Sequence, residues 1–195
     1  VRRLAILLSG RGSNFRALAD AVASGQIPDA EIVAVISDQP AAAGLSAARA
    51  ARLPAFAVER EPGETRTRHE GRIRAILDSA RPDLVCLAGY MRVLSPDFVA
   101  AYRGRILNIH PSLLPKFPGL DVHRRVLEAG ERESGCTVHY VDAGIDSGAP
   151  ILQRRVPVLP GDAEETLSAR ILEQEHEAYP EAVNIALSRL APPRE

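Results

Sequence analysis

The strongest constraint on this chain is the way buried-strand patterns alternate with helical ones over its first 89 residues. LAILLS (4–9) is a continuous apolar run, and after the turn SGRGSN the residues Phe15, Leu18, Ala19 and Val22 recur at helical spacing. EIVAVIS (31–37) and AFAVE (55–59) read as two more strands, separated by an alanine-rich helix over about 41–52. A helix from about Glu64 to Ala80 then precedes a fourth strand, DLVCLAG (83–89). Strands joined by helices pair in parallel through right-handed crossovers and carry helices on both faces. The first half, 1–104, is therefore expected to be Rossmann-like.

The second half, 105–195, follows another rule. RILNIH (105–110) reads as a strand that runs into a proline-rich loop, PSLLPKFPGLDVH, in place of a helix. A short helix over about 122–129 leads to CTVHYVDA (136–143) and ILQRRVPV (151–158), two strands joined through a glycine-containing turn and expected to pair antiparallel. From Asp162 the pattern is one long helix to about Leu190, with a bend expected near Pro180. No repeat or long linker interrupts the sequence. The expectation is one α/β domain over 1–195, with a mostly parallel central sheet, helices on both faces and an antiparallel C-terminal portion.

Composition excludes several classes. Of the 195 residues 46% are hydrophobic, enough for a buried core, yet no stretch approaches the roughly 18 consecutive apolar residues of a membrane span. With 24 basic and 25 acidic side chains, a net charge of −1 and no run of like charges, nothing marks a nucleic-acid or anionic membrane partner. Cys86 and Cys136 sit in apolar runs outside any CxxC or zinc spacing, so buried thiols in a reducing cytoplasm are expected, and no metal. The apolar run of VRRLAILLSGRGSN is too short for a secretory signal and lacks a cleavage pattern, which also points to a cytoplasmic setting.

Three groups could carry chemistry. Ser9-Gly10-Arg11-Gly12-Ser13-Asn14 lies between a strand and a helix, where glycines permit close backbone approach and the helix N-terminus offers free N–H groups to a phosphate. It is neither a dinucleotide fingerprint, since Phe15 stands where GxGxxG needs glycine, nor a P-loop, since GK[ST] is absent. A Ser or Asn helix cap would explain the same turn without a ligand. Asn108 and His110 share one side of a strand end, where an amide donor beside an imidazole suits acyl chemistry. Asp146, between Gly144 and Gly148, could orient that imidazole and raise its pKa, or could simply be a turn residue. His139 could face the same crevice, while His69, His123 and His176 read as surface or capping groups.

Four motifs together resemble the phosphoribosylglycinamide formyltransferase family: SGRGSN (9–14), AGYMRVLSP (88–96), NIHPSLLPKFPGLDVH (108–123) and HYVDAGIDSGAPIL (139–152). The resemblance covers nearly the whole chain. It implies a Rossmann-like formyltransferase fold and transfer of the formyl group of 10-formyltetrahydrofolate to the amine of glycinamide ribonucleotide in purine biosynthesis, without a metal. It further implies that Asn108 holds the oxyanion, His110 moves the proton and Asp146 raises the imidazole's pKa. Gly12, Ser13 and Asn14 would take the ribonucleotide phosphate, and Glu175 the ribose hydroxyls. The folate would lie along Met91, Arg92, Val93 and Leu94 and against Asn108, with the 141–146 loop around its pteridine and Arg66 directed toward it. The sequence departs from the family pattern at Ala143, where an acidic residue is usual, and at Asp121, where histidine is expected; it ends at APPRE, soon after the last helix.

Two relatives of that fold compete. A 10-formyltetrahydrofolate deformylase would use the same Asn, His and Asp with water as acceptor, but would be expected to carry an N-terminal regulatory domain and to have no use for the 12–14 cradle. A methionyl-tRNA formyltransferase would be expected to add a C-terminal domain and a basic surface. A noncatalytic binding module would not require Asn108, His110 and Asp146 together. The expected partners are the two small-molecule substrates, for a monomer or homodimer.

Overall fold

The computed structural model of the chain describes residues 1–191; residues 192–195, which hold most of the APPRE terminus, lie outside the described residues. In chain order the elements are β1 (Arg2–Leu8), α1 (Ser13–Ala23), β2 (Ala30–Ser37), α2 (Ala43–Ala50), β3 (Ala55–Ala57), α3 (Arg66–Ala80), β4 (Leu84–Leu87), α4 (Pro96–Ala101), β5 (Ile106–His110), α5 (Val122–Glu128), β6 (Glu133–Tyr140), β7 (Pro150–Pro157) and α6 (Glu164–Ser188). They build one seven-stranded sheet in the order β3-β2-β1-β4-β5-β6-β7. Neighbours from β3 to β5 pair in parallel, and β5, β6 and β7 pair antiparallel. The mostly parallel α/β sheet with an antiparallel C-terminal portion is thus the observed architecture.

Side-chain alternation explains the layers. In β1, Leu4, Ile6 and Leu8 face one core with Phe15 and Leu18 of α1, Leu45 of α2, Val126 of α5 and the stripe Leu167, Ile171, Ala178 and Ala182 of α6. Ala5 and Leu7 face the other core, with Ile73 and Leu77 of α3 and Phe98 of α4. Each fully buried Leu or Ile contributes roughly 1.5–3 kcal/mol of transfer free energy, so central strands coated on both sides need the continuous apolar runs seen in the sequence.

Several boundaries differ from the sequence expectation, each for a local reason. Helix α3 starts at Arg66 because the Thr65 hydroxyl accepts the Arg68 N–H at 3.2 Å, while Glu64 is held outside the helix by Arg72 at 2.7 Å. Strand β3 ends at Ala57, and β4 ends at Leu87, leaving Ala88 and Gly89 in the following loop. Strand β6 begins at Glu133, where Glu133, Ser134 and Gly135 pair with Pro157, Val156 and Arg155 despite their polar character. It stops at Tyr140, because Asp142 turns the chain by accepting from the Gly144 N–H at 3.0 Å and the Ser147 hydroxyl at 2.6 Å. Helix α6 runs from Glu164 to Ser188 with Pro180 inside it. Helix α4 was not expected at all. Ser95 caps it by accepting the Phe98 N–H at 3.2 Å, with Pro96 in the first turn, but six residues are too few to show a helical period.

Candidate active site

The strand order places a topological switch between β1 and β4: the chain runs outward from β1 through β2 to β3, then returns to β4 on the other side of β1. Open α/β sheets keep their ligand crevice at the carboxyl ends of such strands. Here loop 9–14 follows β1, segment 88–95 follows β4, and β5 ends beside them with Asn108 and His110.

The loop after β1 is shaped by backbone, not by a capping side chain. Gly12 occupies the N-cap of α1 at φ 74°, with no side-chain cap, so the Ser or Asn cap is corrected. A Cβ at Gly12 would lie 2.5 Å from the Gly44 Cα, which fixes glycine there and seats the loop against α2. The amides of Ser13 and Asn14 donate to no protein acceptor among the described residues. Asn14 donates from Nδ2 to Glu175 Oε2 at 2.8 Å, both residues being buried, and its Oδ1 has no partner among the described residues. Burial pushes the Glu175 carboxyl above its ordinary pKa, against the opposing pull of the Asn14 bond.

At the end of β5, Leu107 and Ile109 belong to the core beneath α6, so Asn108 and His110 face the other way, beyond the layer that covers Ile106. They meet Asp146. His110 Nδ1 lies 3.3 Å from Asp146 Oδ2, and Asn108 Nδ2 lies 3.5 Å from Asp146 Oδ1. His139, directly across the ladder from Asn108, joins them: its Nε2 is 3.6 Å from Asp146 Oδ1 and 3.4 Å from Asn108 Nδ2. His139 was noted in the sequence only as a possible neighbour; the signal was its strand parity, which becomes decisive once the register is known. Asp146 sits at φ 49° in loop 141–149 and also accepts the Gly119 N–H at 2.8 Å, tying that loop to the proline-rich one.

Asp146 raises the pKa of His110, as the sequence leads one to expect, but the net shift runs the other way. Burial lowers it, and that outweighs the Phe117 carbonyl and the Asp146 carboxylate, which raise it. Asp146 itself is raised by burial but lowered by its bond with His139, the Gly119 amide and the nearby imidazoles, which together leave it below the usual carboxylate range. The other histidines also differ from the sequence reading. His69 is buried, with Nε2 at 2.7 Å from the Val58 carbonyl, and burial lowers the pKa of both His123 and His176.

Exposed apolar side chains gather on the loops around this cluster. Among the described residues, Met91, Val93, Leu120 and Ile145 are four of the seven exposed large hydrophobic side chains, and all lie on the loops after β4, β5 and β6, while Leu94 is buried. Arg92 is half-buried, and Arg66 is exposed at the start of α3 with no partner among the described residues. A separate groove of about 990 Å³ opens at the amino ends of the central strands, opposite the crevice, but its Arg2 and Arg3 are paired with Asp83 and Glu31. Among the described residues no group of three or more His, Cys, Asp or Glu side chains is arranged to hold a metal ion, and no helix is long and apolar enough to cross a membrane.

Comparison with known proteins identifies the family. A family model described as "Formyl transferase" matches residues 2–183. The phosphoribosylglycinamide formyltransferase of Escherichia coli (strain K12) is 44% identical over 177 residues, which are 91% of this chain and 83% of that protein. The crystal structure of phosphoribosylglycinamide formyltransferase from Brucella melitensis superposes with a TM-score of 0.89 at 48% identity, covering 99% of each chain. The trifunctional purine biosynthetic protein adenosine-3 of Drosophila pseudoobscura pseudoobscura is 51% identical over 188 residues, but the chain spans only 14% of its length. A family match over nearly the whole sequence, with relatives of this identity, means that the chain belongs to the formyl transferase family, in the company of the phosphoribosylglycinamide formyltransferases.

Proposed function

We propose that the protein transfers the formyl group of 10-formyltetrahydrofolate to the primary amine of glycinamide ribonucleotide, giving N-formylglycinamide ribonucleotide and tetrahydrofolate in purine biosynthesis. The observation that carries the reading is the convergence of Asn108 and His110 on Asp146 at 3.5 and 3.3 Å, at the mouth of a crevice flanked by a glycine loop and an apolar segment. It is an acyl-transfer site with a place for a phosphate on one side and for an aromatic ring system on the other.

In this reading the amine attacks the formyl carbon, a C–N bond forms and the carbonyl oxygen becomes an oxyanion. Asn108 donates to that oxygen. His139 stands beside that amide: its Nδ1 donates to the Tyr140 carbonyl at 2.8 Å, and its Nε2 lies 3.4 Å from Asn108 Nδ2 and 3.6 Å from Asp146 Oδ1. His110 relays the proton. Its Nε2–H donates to the Phe117 carbonyl at 2.8 Å, so the neutral ring points its Nδ1 lone pair toward Asp146, and a proton gained at Nδ1 is met by that carboxylate. The proton then passes to the folate nitrogen as its bond to the formyl carbon breaks. Burial keeps the resting ring neutral, while Asp146 stabilises the charge as it develops. Holding the two substrates in line accounts for a further large share of the rate, about 7–11 kcal/mol where positioning is good.

For binding, Gly12, Ser13 and Asn14 take the phosphate on free amides and the positive end of α1, and Glu175 takes the ribose hydroxyls. Met91, Arg92, Val93 and Leu94 receive the folate along with Asn108, with Arg66 reaching toward it from α3. No metal has a step in this scheme. The same reading has residues 1–195 acting as one domain, a phosphate-binding half over 1–104 and a catalytic and folate-binding half over 105–195, in the cytoplasm, as a monomer or homodimer with no nucleic-acid or membrane partner.

The test is folate deformylation by the purified protein with and without glycinamide ribonucleotide. Turnover only with the ribonucleotide, matched by formylated product, is the expected result. Equal turnover without it would make water the acceptor and the deformylase reading primary.

A further inference from the structure

Asp38 follows the last residue of β2, and only 3% of its surface is exposed. A buried carboxylate is costly unless its oxygens are bonded and its charge is met. Here Oδ1 accepts the Ser9 hydroxyl at 2.6 Å, and Oδ2 accepts Arg92 Nε at 2.7 Å, with Gln39 Nε2 at 3.4 Å. Ser9 opens the loop after β1, and Arg92 lies in the segment after β4. The same Ser9 hydroxyl accepts the Met91 N–H at 2.9 Å, and the Ser9 N–H donates to the Gly89 carbonyl at 3.0 Å. One carboxylate and one hydroxyl therefore join the two loops that flank the switch point.

The chemistry requires an aspartate. The Ser9 hydroxyl has one proton, and since its oxygen is taken by the Met91 amide, that proton must go to an acceptor. Arg92 also needs an acceptor, and an anionic one. Both oxygens of position 38 must accept, which an amide of the same shape cannot do. The pairing with Arg92 also cancels the carboxylate's charge beside a loop suited to an anion.

We propose that Asp38 is a positioning residue that locks loop 9–14 and segment 91–94 into one body, so that each substrate's subsite depends on the contact with the other. The inference rests on the assignment of those two loops to ribonucleotide and folate given above. Asp38 is not a catalytic residue, since among the described residues no hydrogen bond or ion pair joins it to Asn108, His110 or Asp146.

The test is steady-state kinetics with both substrates varied, at a temperature where all variants remain folded. Asp38→Asn is expected to raise KM for both substrates together by about fivefold or more while kcat changes by less than about threefold. Ser9→Ala is expected to do the same, Ser9→Thr to restore wild-type values, and the Ser9→Ala, Asp38→Asn double variant to be no worse than either single one, because both break one network. A purely stabilising role would lower the melting temperature and leave both KM values alone. Unchanged KM values, a rise for one substrate only, or single effects that multiply in the double variant would each overturn the proposal. If Asp38→Asn does not fold, the Ser9 pair decides in the same terms. Absence of ribonucleotide-dependent turnover in the wild type would remove the functional reading and this inference together; unchanged KM values in variants of an active wild type would remove this inference alone.

Discussion

Asn14, in the first turn of α1, donates its side-chain amide to Glu175 of α6 at 2.8 Å, joining positions 161 residues apart. The contact places a carboxylate that burial would prefer protonated beside the free amides of the glycine loop. An acid in that position costs stability, and such costs are retained at sites that bind. Glu175→Gln keeps an acceptor for Asn14 and removes the charge. It is expected to raise stability by roughly 0.5–2 kcal/mol, in the range for relieving a functional strain, while weakening glycinamide ribonucleotide binding. Chemical denaturation and calorimetric titration measure the two effects, and a variant that loses stability and keeps its affinity would contradict both.

Gly12 and Gly44 make the second constraint on the same loop. The left-handed backbone of Gly12, at φ 74°, and the 2.5 Å that would separate an added Cβ from the Gly44 Cα leave no room for alanine. Gly12→Ala is expected to cost about 2–4 kcal/mol and to abolish ribonucleotide binding by displacing the loop. Gly10, whose added Cβ would meet nothing within 4 Å, is the control. Gly10→Ala should change stability by less than about 0.5 kcal/mol. Equal denaturation midpoints for the two variants would show that the close approach of Gly12 and Gly44 does not matter.

His110 is the most direct test of the chemistry. His110→Ala removes the proton relay but leaves loop 9–14 untouched, so kcat should fall by at least about a hundredfold with the ribonucleotide dissociation constant nearly unchanged. Wild-type turnover in the variant would take His110 out of the mechanism.

Much of this was legible in the sequence because its signals are local. The apolar runs of β1, β2 and β4 and the long stripe of α6 come from strands and helices buried along their length, and NIHPSLLPKFPGLDVH is specific in itself. What could not be read depends on partners distant in the chain. Glu133, Ser134 and Gly135 join β6 only through the hydrogen bonds offered by Arg155, Val156 and Pro157. His139 enters the site because the register sets it opposite Asn108. Asp38 looks like any polar residue at a strand end until Ser9 and Arg92 arrive on either side of it. The raising effect of Asp146 on His110 is legible because the charge partner is visible in the sequence, whereas the burial that outweighs it is not.

Acid should destabilise the protein earlier than its carboxylates alone would require. His110, His123 and His176 are all held below the ordinary histidine value of 6.5 by burial. As pH falls through that value the unfolded chain takes up protons that the folded state refuses, so stability is full above it and declines toward the folded-state values. Glu175 acts with the opposite sign, since its raised carboxyl lets the folded state bind a proton first. The urea midpoint is therefore expected to fall on acidification from about pH 7 to about pH 5.5. His176→Gln, which removes a group with an unpartnered buried Nε2, should make that decline shallower. A midpoint that holds steady or rises over the same interval would mean that the three imidazoles titrate in the folded protein as they do in the unfolded chain.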